Sequence, residues 1–434
     1  MATIWTDISE FGIRNSECEI AGELAESSNP NPPGDSAYLV TFCALAKSNA
    51  CTASAIRKGE KAMIRLIKYC ITIISIVAVI FGAVSAVGLV FPKYEMTESI
   101  AFAQSMGKGW NLGNTFDACE KYSDEKAGLE TETMWGNPET TKELMAYLKE
   151  CGFDTVRLPV TWSQHMGDAP YYTVDKAWMD RVQQVVDFAL ECDLKVILNT
   201  HHEDAFWLIT DQEHKAESEE ILCKLWAQIC DRFAEYGENL IFETMNEPRV
   251  TGVEDEWQGN AESREVVNYL NFAALDTIRN SGEKNAERFV MMPTYAASGL
   301  YENIDAMRLP DDDRVIVSVH YYFATAHQSE FKDAEKKWSL SQKWSLYKTF
   351  RRMAETYLKK GYGVCKSEFG WTDRDNMKNL VSNTEFYVGL AEKFGFSMAV
   401  WDNGITDGDD IYSFGIIDRN ELKVVYPEYL EAIL

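Results

Sequence analysis

After residue 92 the chain alternates, eight times over, a short apolar or β-branched run with a longer stretch of helical period. No other feature restricts the fold as much. The runs lie at 109–112, 155–160, 195–199, 240–245, 288–292, 315–319, 363–367 and 397–401. Between them, the stretch 142–148 and the set Met179, Val182, Val185, Val186 and Ala189 repeat at the three-to-four spacing of one buried helix face. A last helix is expected over 426–433. Strands that alternate with helices form parallel sheets, and eight such units predict an α/β fold, a (β/α)8 TIM barrel, over residues 93–434. The usual size of that barrel is ~250 residues, so its loops should be enlarged. No internal repeat or second domain is evident within it.

A different pattern precedes the barrel. From Cys70 to Phe91 no side chain is charged, and a helix of that length, at ~1.5 Å per residue, crosses the ~30 Å hydrocarbon layer. Arg57, Lys58, Lys61, Arg65 and Lys68 lie before it and only Lys93 close behind. The positive-inside rule then leaves the N-terminus cytoplasmic and the barrel exported, held by a signal anchor at 70–91. A second reading starts at Met63: Arg65, Lys68, the apolar run and the small-residue site Val84-Ser85-Ala86 have the layout of a cleavable signal peptide. Either way the expected location is secreted or membrane-anchored at the cell surface. The tail 1–69, with Asn29-Pro30-Asn31-Pro32-Pro33-Gly34, carries no clear periodicity and is expected to be disordered, or in part a mis-called start.

Composition removes several classes of function. The net charge of −26 repels phosphate backbones, so nucleic acid is not an expected partner. Ten cysteines without Cys-x-x-Cys spacing suggest neither zinc nor a disulfide scaffold. The six in the barrel region, Cys119, Cys151, Cys192, Cys223, Cys230 and Cys365, could pair in an exported protein or remain buried thiols.

In a barrel of this kind chemistry sits at the C-terminal ends of the strands, where this sequence places polar residues. The second run carries Arg157 and leads to Trp162; the third ends in Asn199-Thr200-His201-His202. The fourth reads Glu243-Thr244-Met245-Asn246-Glu247-Pro248-Arg249, the sixth ends in His320-Tyr321-Tyr322, the seventh in Glu368-Phe369-Gly370, and the eighth in Trp401-Asp402-Asn403-Gly404. Two glutamates on strands four and seven would face each other across the mouth. Glycoside hydrolysis needs such a pair, one acid to protonate the leaving oxygen and one carboxylate to attack carbon or activate water.

Together with Gly109-Trp110-Asn111-Leu112-Gly113-Asn114-Thr115, these segments resemble family 5 glycoside hydrolases, and within them the endoglucanases of subfamily 4, over about residues 95–434. The resemblance implies a retaining endo-β-1,4-glucanase with Glu247 as acid/base and Glu368 as nucleophile. It implies that Asn246 holds the substrate 2-hydroxyl, that Arg157 and Tyr322 contact Glu368, and that His320 neighbours Glu247. His201 would bind substrate and Trp401 would floor the reacting sugar, with His202, Asn111 and Trp162 in substrate-binding or supporting places. No metal or cofactor is implied; the partner is a β-glucan, and a monomer is expected. His201 and His202 do not suggest a metal pair, because neighbours on a strand point to opposite faces and no further histidine-rich strand end completes a set. Trp135, Trp162, Trp207, Trp257 and Trp371 fall in loops that could extend a sugar-binding cleft, and Trp226 on a helical face reads as core. Competing readings are the same chemistry on mannan or xylan, a glycan-binding pseudoenzyme, and a barrel metallohydrolase.

One departure from the family pattern stands out. Lys366 occupies a position two before Glu368 that is generally apolar in relatives. Strand parity puts it on the face of Glu368 and predicts a buried ion pair with Glu243, which shares a face with Glu247. A local bulge would instead turn Lys366 outward to solvent.

Overall fold

The computed structural model describes residues 48, 49, 52, 57, 59, 61–73, 75, 91–123, 125–322, 337–372, 376–407 and 413–434. The chain divides into two units, Met1–Val90 and Phe91–Leu434. In the first, residues 61–73 are helical and exposed. Most of the uncharged segment 70–91 and of the tail 1–62 lies outside the described residues; among those described, no helix is long and apolar enough to cross a membrane.

The second unit is a closed barrel of eight parallel strands in sequence order. They are β1 Lys108–Leu112, β2 Thr155–Leu158, β3 Lys195–Asn199, β4 Leu240–Glu243, β5 Val290–Pro293, β6 Val315–His320, β7 Gly363–Phe369 and β8 Ser397–Asp402. The main helices are α1 Glu98–Ser105, α2 Lys142–Cys151, α3 Lys176–Glu191, α4 Lys215–Arg232, α5 Ala261–Arg279, α6 Tyr301–Ala306, α7 Leu340–Thr356, α8 Met377–Phe394 and α9 Pro427–Ile433. Each expected strand is present. The fifth starts two residues later than expected because Arg288, fully buried, bends away to donate to the carbonyls of Phe233, Tyr236, Gly237 and Leu240. A two-stranded ribbon, β9 Ile417–Asp418 with β10 Lys423–Val424, was not foreseen.

Local chemistry sets the helix limits. The Thr141 side chain accepts from Leu144 N to start α2, and Gly152, at φ 105°, ends it in a left-handed conformation that a residue with Cβ resists. On α3 the expected face, Met179, Val182, Val185, Val186 and Ala189, is the buried one.

Two cores result. A large one, between strands and helices, holds Trp110, Val156, Trp226, Phe242, Val317 and Phe369 among many others, so Trp226 is core as expected. A small one fills the barrel's lower interior with Ile197, Ile241, Met291, Ile316 and Cys365, closed from below by Ala103 and Met106. Inward-facing positions become polar one layer higher, and the site stands on that layer. All six barrel-region cysteines are free thiols.

Candidate active site

Arg157, fully buried on β2, organises the polar layer. Its Nε donates to Glu243 Oε2 at 2.7 Å, Nη1 to Asn111 Oδ1 at 2.9 Å and to Glu368 Oε1 at 2.6 Å, and Nη2 to Asn246 Oδ1 at 2.8 Å. Glu243 also accepts from Asn199 Nδ2 at 3.1 Å and from the Ser318 hydroxyl at 2.5 Å. The Asn111 amide donates to the carbonyls of Ser367, Ala399 and Val400, which ties β1 to β7 and β8. Asn111 therefore supports the site from beneath. Burial opposes the charge on Arg157, but Glu243 and Glu368 outweigh it and hold the guanidinium protonated.

Above this layer stand the two glutamates. Glu368 accepts from the Tyr322 hydroxyl at 2.9 Å, and His320 Nδ1 is 2.8 Å from Glu247 Oε1. One carboxylate oxygen of Glu247 and one of Glu368 lie within 4.8 Å of each other and of a His320 nitrogen. Burial raises the Glu368 carboxyl above its ordinary range, while His320, Arg157 and the Tyr322 hydroxyl act against that rise. Burial also pushes His320 down to about 4 and the Tyr322 phenol well up, so both are neutral at neutral pH. Asn246 is brought to the same place by Arg157, and Trp401 stacks on His201 with ring centroids 5.8 Å apart and planes 9° from parallel. Gly113 makes room for that indole: a Cβ there would meet Trp401 Cζ2 at 2.6 Å.

Three sequence expectations need correction. His201 and His202 do not alternate across a strand, because β3 ends at Asn199 and both follow it; their rings meet edge-on at 4.5 Å. Asp117 joins them, one possible ligand atom of each lying within 4.8 Å of the others, although its carboxylate already accepts from Asn114 N and Thr115 N. Burial keeps both imidazoles neutral. Trp162 is not a sugar platform: it is fully buried, with its Nε1 donating to Asn199 O at 3.0 Å and its backbone N to Glu203 Oε1 at 2.7 Å. Of the other loop tryptophans, Trp257 is 43% exposed, whereas Trp135, Trp207 and Trp371 are half-buried.

Lys366 supplies the third correction. It makes no pair with Glu243, whose cationic partner is Arg157 at 2.6 Å. The register of β7 slips against both neighbours, between Ser318 and His320 on one side and Lys366 and Phe369 on the other. Ser367 and Glu368 consequently both face the axis, the former sharing a 2.5 Å contact with Ser318, so parity counted back from Glu368 fails. Lys366 points outward, yet not to solvent: it is fully buried beneath α7, with Nζ 3.9 Å from Met353 Sδ and over the rings of Tyr321 and Phe350 at 5.2 and 5.6 Å.

Sequence reading missed Glu243 as the partner of Arg157, and missed Glu203, Asp204 and Arg249. Glu243 was visible by its inward parity. Arg249, directly after Asn246-Glu247-Pro248, carried a positional signal that was not used.

A family model, Cellulase (glycosyl hydrolase family 5), matches residues 119–407. The chain belongs to glycosyl hydrolase family 5. Two solved members of this family are similar over nearly their whole length. The chain is 40% identical to a GH5-4 broad specificity endoglucanase from Clostridium acetobutylicum, covering 78% of this chain and 99% of that one at a TM-score of 0.72. It is 36% identical to a GH5-4 broad specificity endoglucanase from Ruminococcus champanellensis with bound cellotriose, covering 79% and 99% at a TM-score of 0.73. A longer relative, cellulase/esterase CelE of Acetivibrio thermocellus, is 39% identical over 328 residues; the chain spans 39% of its length.

Proposed function

We propose that this protein is a retaining endo-β-1,4-glucanase acting on cellulose, mixed-linkage β-glucan or xyloglucan chains, with Glu368 as nucleophile and Glu247 as acid/base. The observation that carries the reading is the approach of the two carboxylates to within 4.8 Å. Retaining enzymes hold their carboxyl groups ~5 to 5.5 Å apart, whereas inverting ones leave ~6.5 to 9.5 Å for a water. In the first step a Glu368 oxygen bonds to the anomeric carbon while Glu247 gives its proton to the departing glycosidic oxygen. In the second, Glu247 takes a proton from water as the water oxygen displaces Glu368. Arg157 and Tyr322 aim the nucleophile and share its charge, Asn246 is held where it can meet the 2-hydroxyl, and Trp401 offers a ring face to the sugar. Similarity to endoglucanases of broad specificity, one with cellotriose bound, supports the β-glucan substrate.

The test is azide rescue. Glu368→Ala should yield an inverted glycosyl azide and Glu247→Ala a retained one; identical products from both variants would overturn the assignment. Reducing-end release on carboxymethyl cellulose, barley β-glucan, xyloglucan, mannan and xylan ranks the substrates. The basic flank and the uncharged segment 70–91 support export, anchored or cleaved, with the barrel working outside the cell as a monomer. Recovery of the full chain in a soluble cytoplasmic fraction with residues 63–86 intact would contradict export.

A further inference from the structure

Beside Glu247 lies a charged group that the proposed chemistry does not use. Arg249 Nη1 donates to the Glu247 backbone carbonyl at 2.9 Å, stands 3.5 Å from Glu247 Oε2 and is 3.2 Å from Asp204 Oδ2. Its Nε donates to Glu256 Oε1 at 2.9 Å, and its guanidinium carbon sits 4.4 Å from the Trp257 ring centre. The Asp204 side chain is only 8% exposed, and its Oδ1 is buried without a hydrogen-bond partner. A buried carboxylate with one unsatisfied oxygen costs folding free energy, which the ion pair with Arg249 offsets only in part. Burial raises the Asp204 carboxyl while Arg249 acts against that rise; ionised, it sets a negative charge beside the nitrogen that faces the Glu247 carboxylate.

The electrostatic consequence is direct. A guanidinium 3.5 Å from a carboxyl favours the ionised form, whereas the first step of glycoside cleavage requires Glu247 protonated. A second carboxylate beside the same guanidinium cancels part of that pull. We propose that Arg249 and Asp204 are positioning residues for the acid/base: Arg249 fixes Glu247 in place through its backbone and side chain, and Asp204 offsets the charge that Arg249 presents to the Glu247 carboxyl. The inference rests on the acid/base reading of Glu247. The other groups facing Glu247 are His320 and Tyr322 at the end of β6 and Glu368 on β7. Glu256 shares Arg249, Lys121 in the loop after β1 acts on Asp204, and His202 beside them feels Lys121, Arg249 and Arg157.

The experiment is the pH profile of kcat/KM for the full chain on barley β-glucan, with Asp204→Asn, Arg249→Gln and Arg249→Lys, alongside 2,4-dinitrophenyl cellobioside, whose leaving group departs without a proton. Asp204→Asn should move the alkaline limb to lower pH by about one unit, and Arg249→Gln should move it to higher pH by a similar amount. Arg249→Lys, which keeps the charge, should leave the limb in place. On the aryl substrate none of the three should shift a limb. Limbs that stay put, or that move the same way in Asp204→Asn and Arg249→Gln, overturn the proposal; a merely structural role lowers rates on both substrates without opposite shifts. If Asp204→Asn does not fold, the contrast between Arg249→Gln and Arg249→Lys decides. Glu247→Ala separates the two levels: full activity on β-glucan would remove the acid/base reading itself, whereas lost activity there with unmoved limbs in the other variants would remove only this inference.

Discussion

Lys366→Met should stabilise the protein. The ammonium is fully buried between β7 and α7, its nearest polar contact a thioether 3.9 Å away. Burial drives its proton off, so that Lys366 titrates well below 10.5. A lysine neutral in the folded state and charged in the unfolded one makes stability depend on pH. The unfolded chain binds one more proton, so stability rises with pH and is lost as pH falls toward the folded value. The slope is about 1.4 kcal/mol per unit over that window, which closes near 10.5. A neutral amine without good partners adds about 1 to 3 kcal/mol of unmade hydrogen bonding. Met has similar length, no proton to lose and no donor to satisfy, and it sits beside Met353, Phe350 and Tyr321. The variant should therefore be more stable than the parent, and where the folded amine is neutral the gap should narrow by about 1.4 kcal/mol for each unit the pH is raised. Urea denaturation of both proteins at pH 7, 8 and 9 measures this. A Met variant less stable than the parent, or a gap that ignores pH, would show that the amine stays charged and is held by the two ring faces. Because Lys366 faces away from the axis, the acidic limb of activity should not move in this variant.

Glu203, clamped to Trp162 N and the Ser163 hydroxyl, is raised by burial from 4.5 to about 7. Between those values the folded state keeps a proton that the unfolded chain has lost, so stability should fall as pH rises, by roughly 3 kcal/mol across the window; the difference between parent and Glu203→Gln in denaturation at pH 4.5 to 7.5 isolates it. Glu243→Gln leaves Arg157 without its principal counter-charge and should cost about 3 to 5 kcal/mol, read as a fall in the denaturation midpoint together with loss of activity. Gly113→Ala should displace Trp401, giving a raised KM for short cello-oligosaccharides with stability changed far less; an unchanged KM would remove Trp401 from the sugar site.

The polar residues that gather at the mouth were legible because a parallel barrel aligns eight strand ends at one face, and a Glu before Pro248 or before Phe369-Gly370 has no bland role on a helix. What parity could decide depended on regular strands. It placed Glu243 inward correctly and failed at Lys366, because a bulge leaves no signature in Cys365-Lys366-Ser367-Glu368. Trp162 looked like a platform since exposure of an indole depends on the loop above it, here the turn carrying Glu203. Asp204 and Arg249 come from different loops, and their pairing is a fact of three dimensions that no spacing along the chain encodes.

The slip in β7 has a consequence for anyone who rebuilds this barrel. Below it, Cys365 and Ser367 look toward the axis; above it, Glu368 does, one step out of phase. The aim of the proposed nucleophile is thus set by chain length as much as by residue type. A regular strand of the same composition with one residue removed between Cys365 and Glu368 would keep the bond to the axis, whereas a regular strand of the same length would turn Glu368 into the helix layer. Alignment by strand parity alone would graft the carboxylate onto the wrong side of the wall.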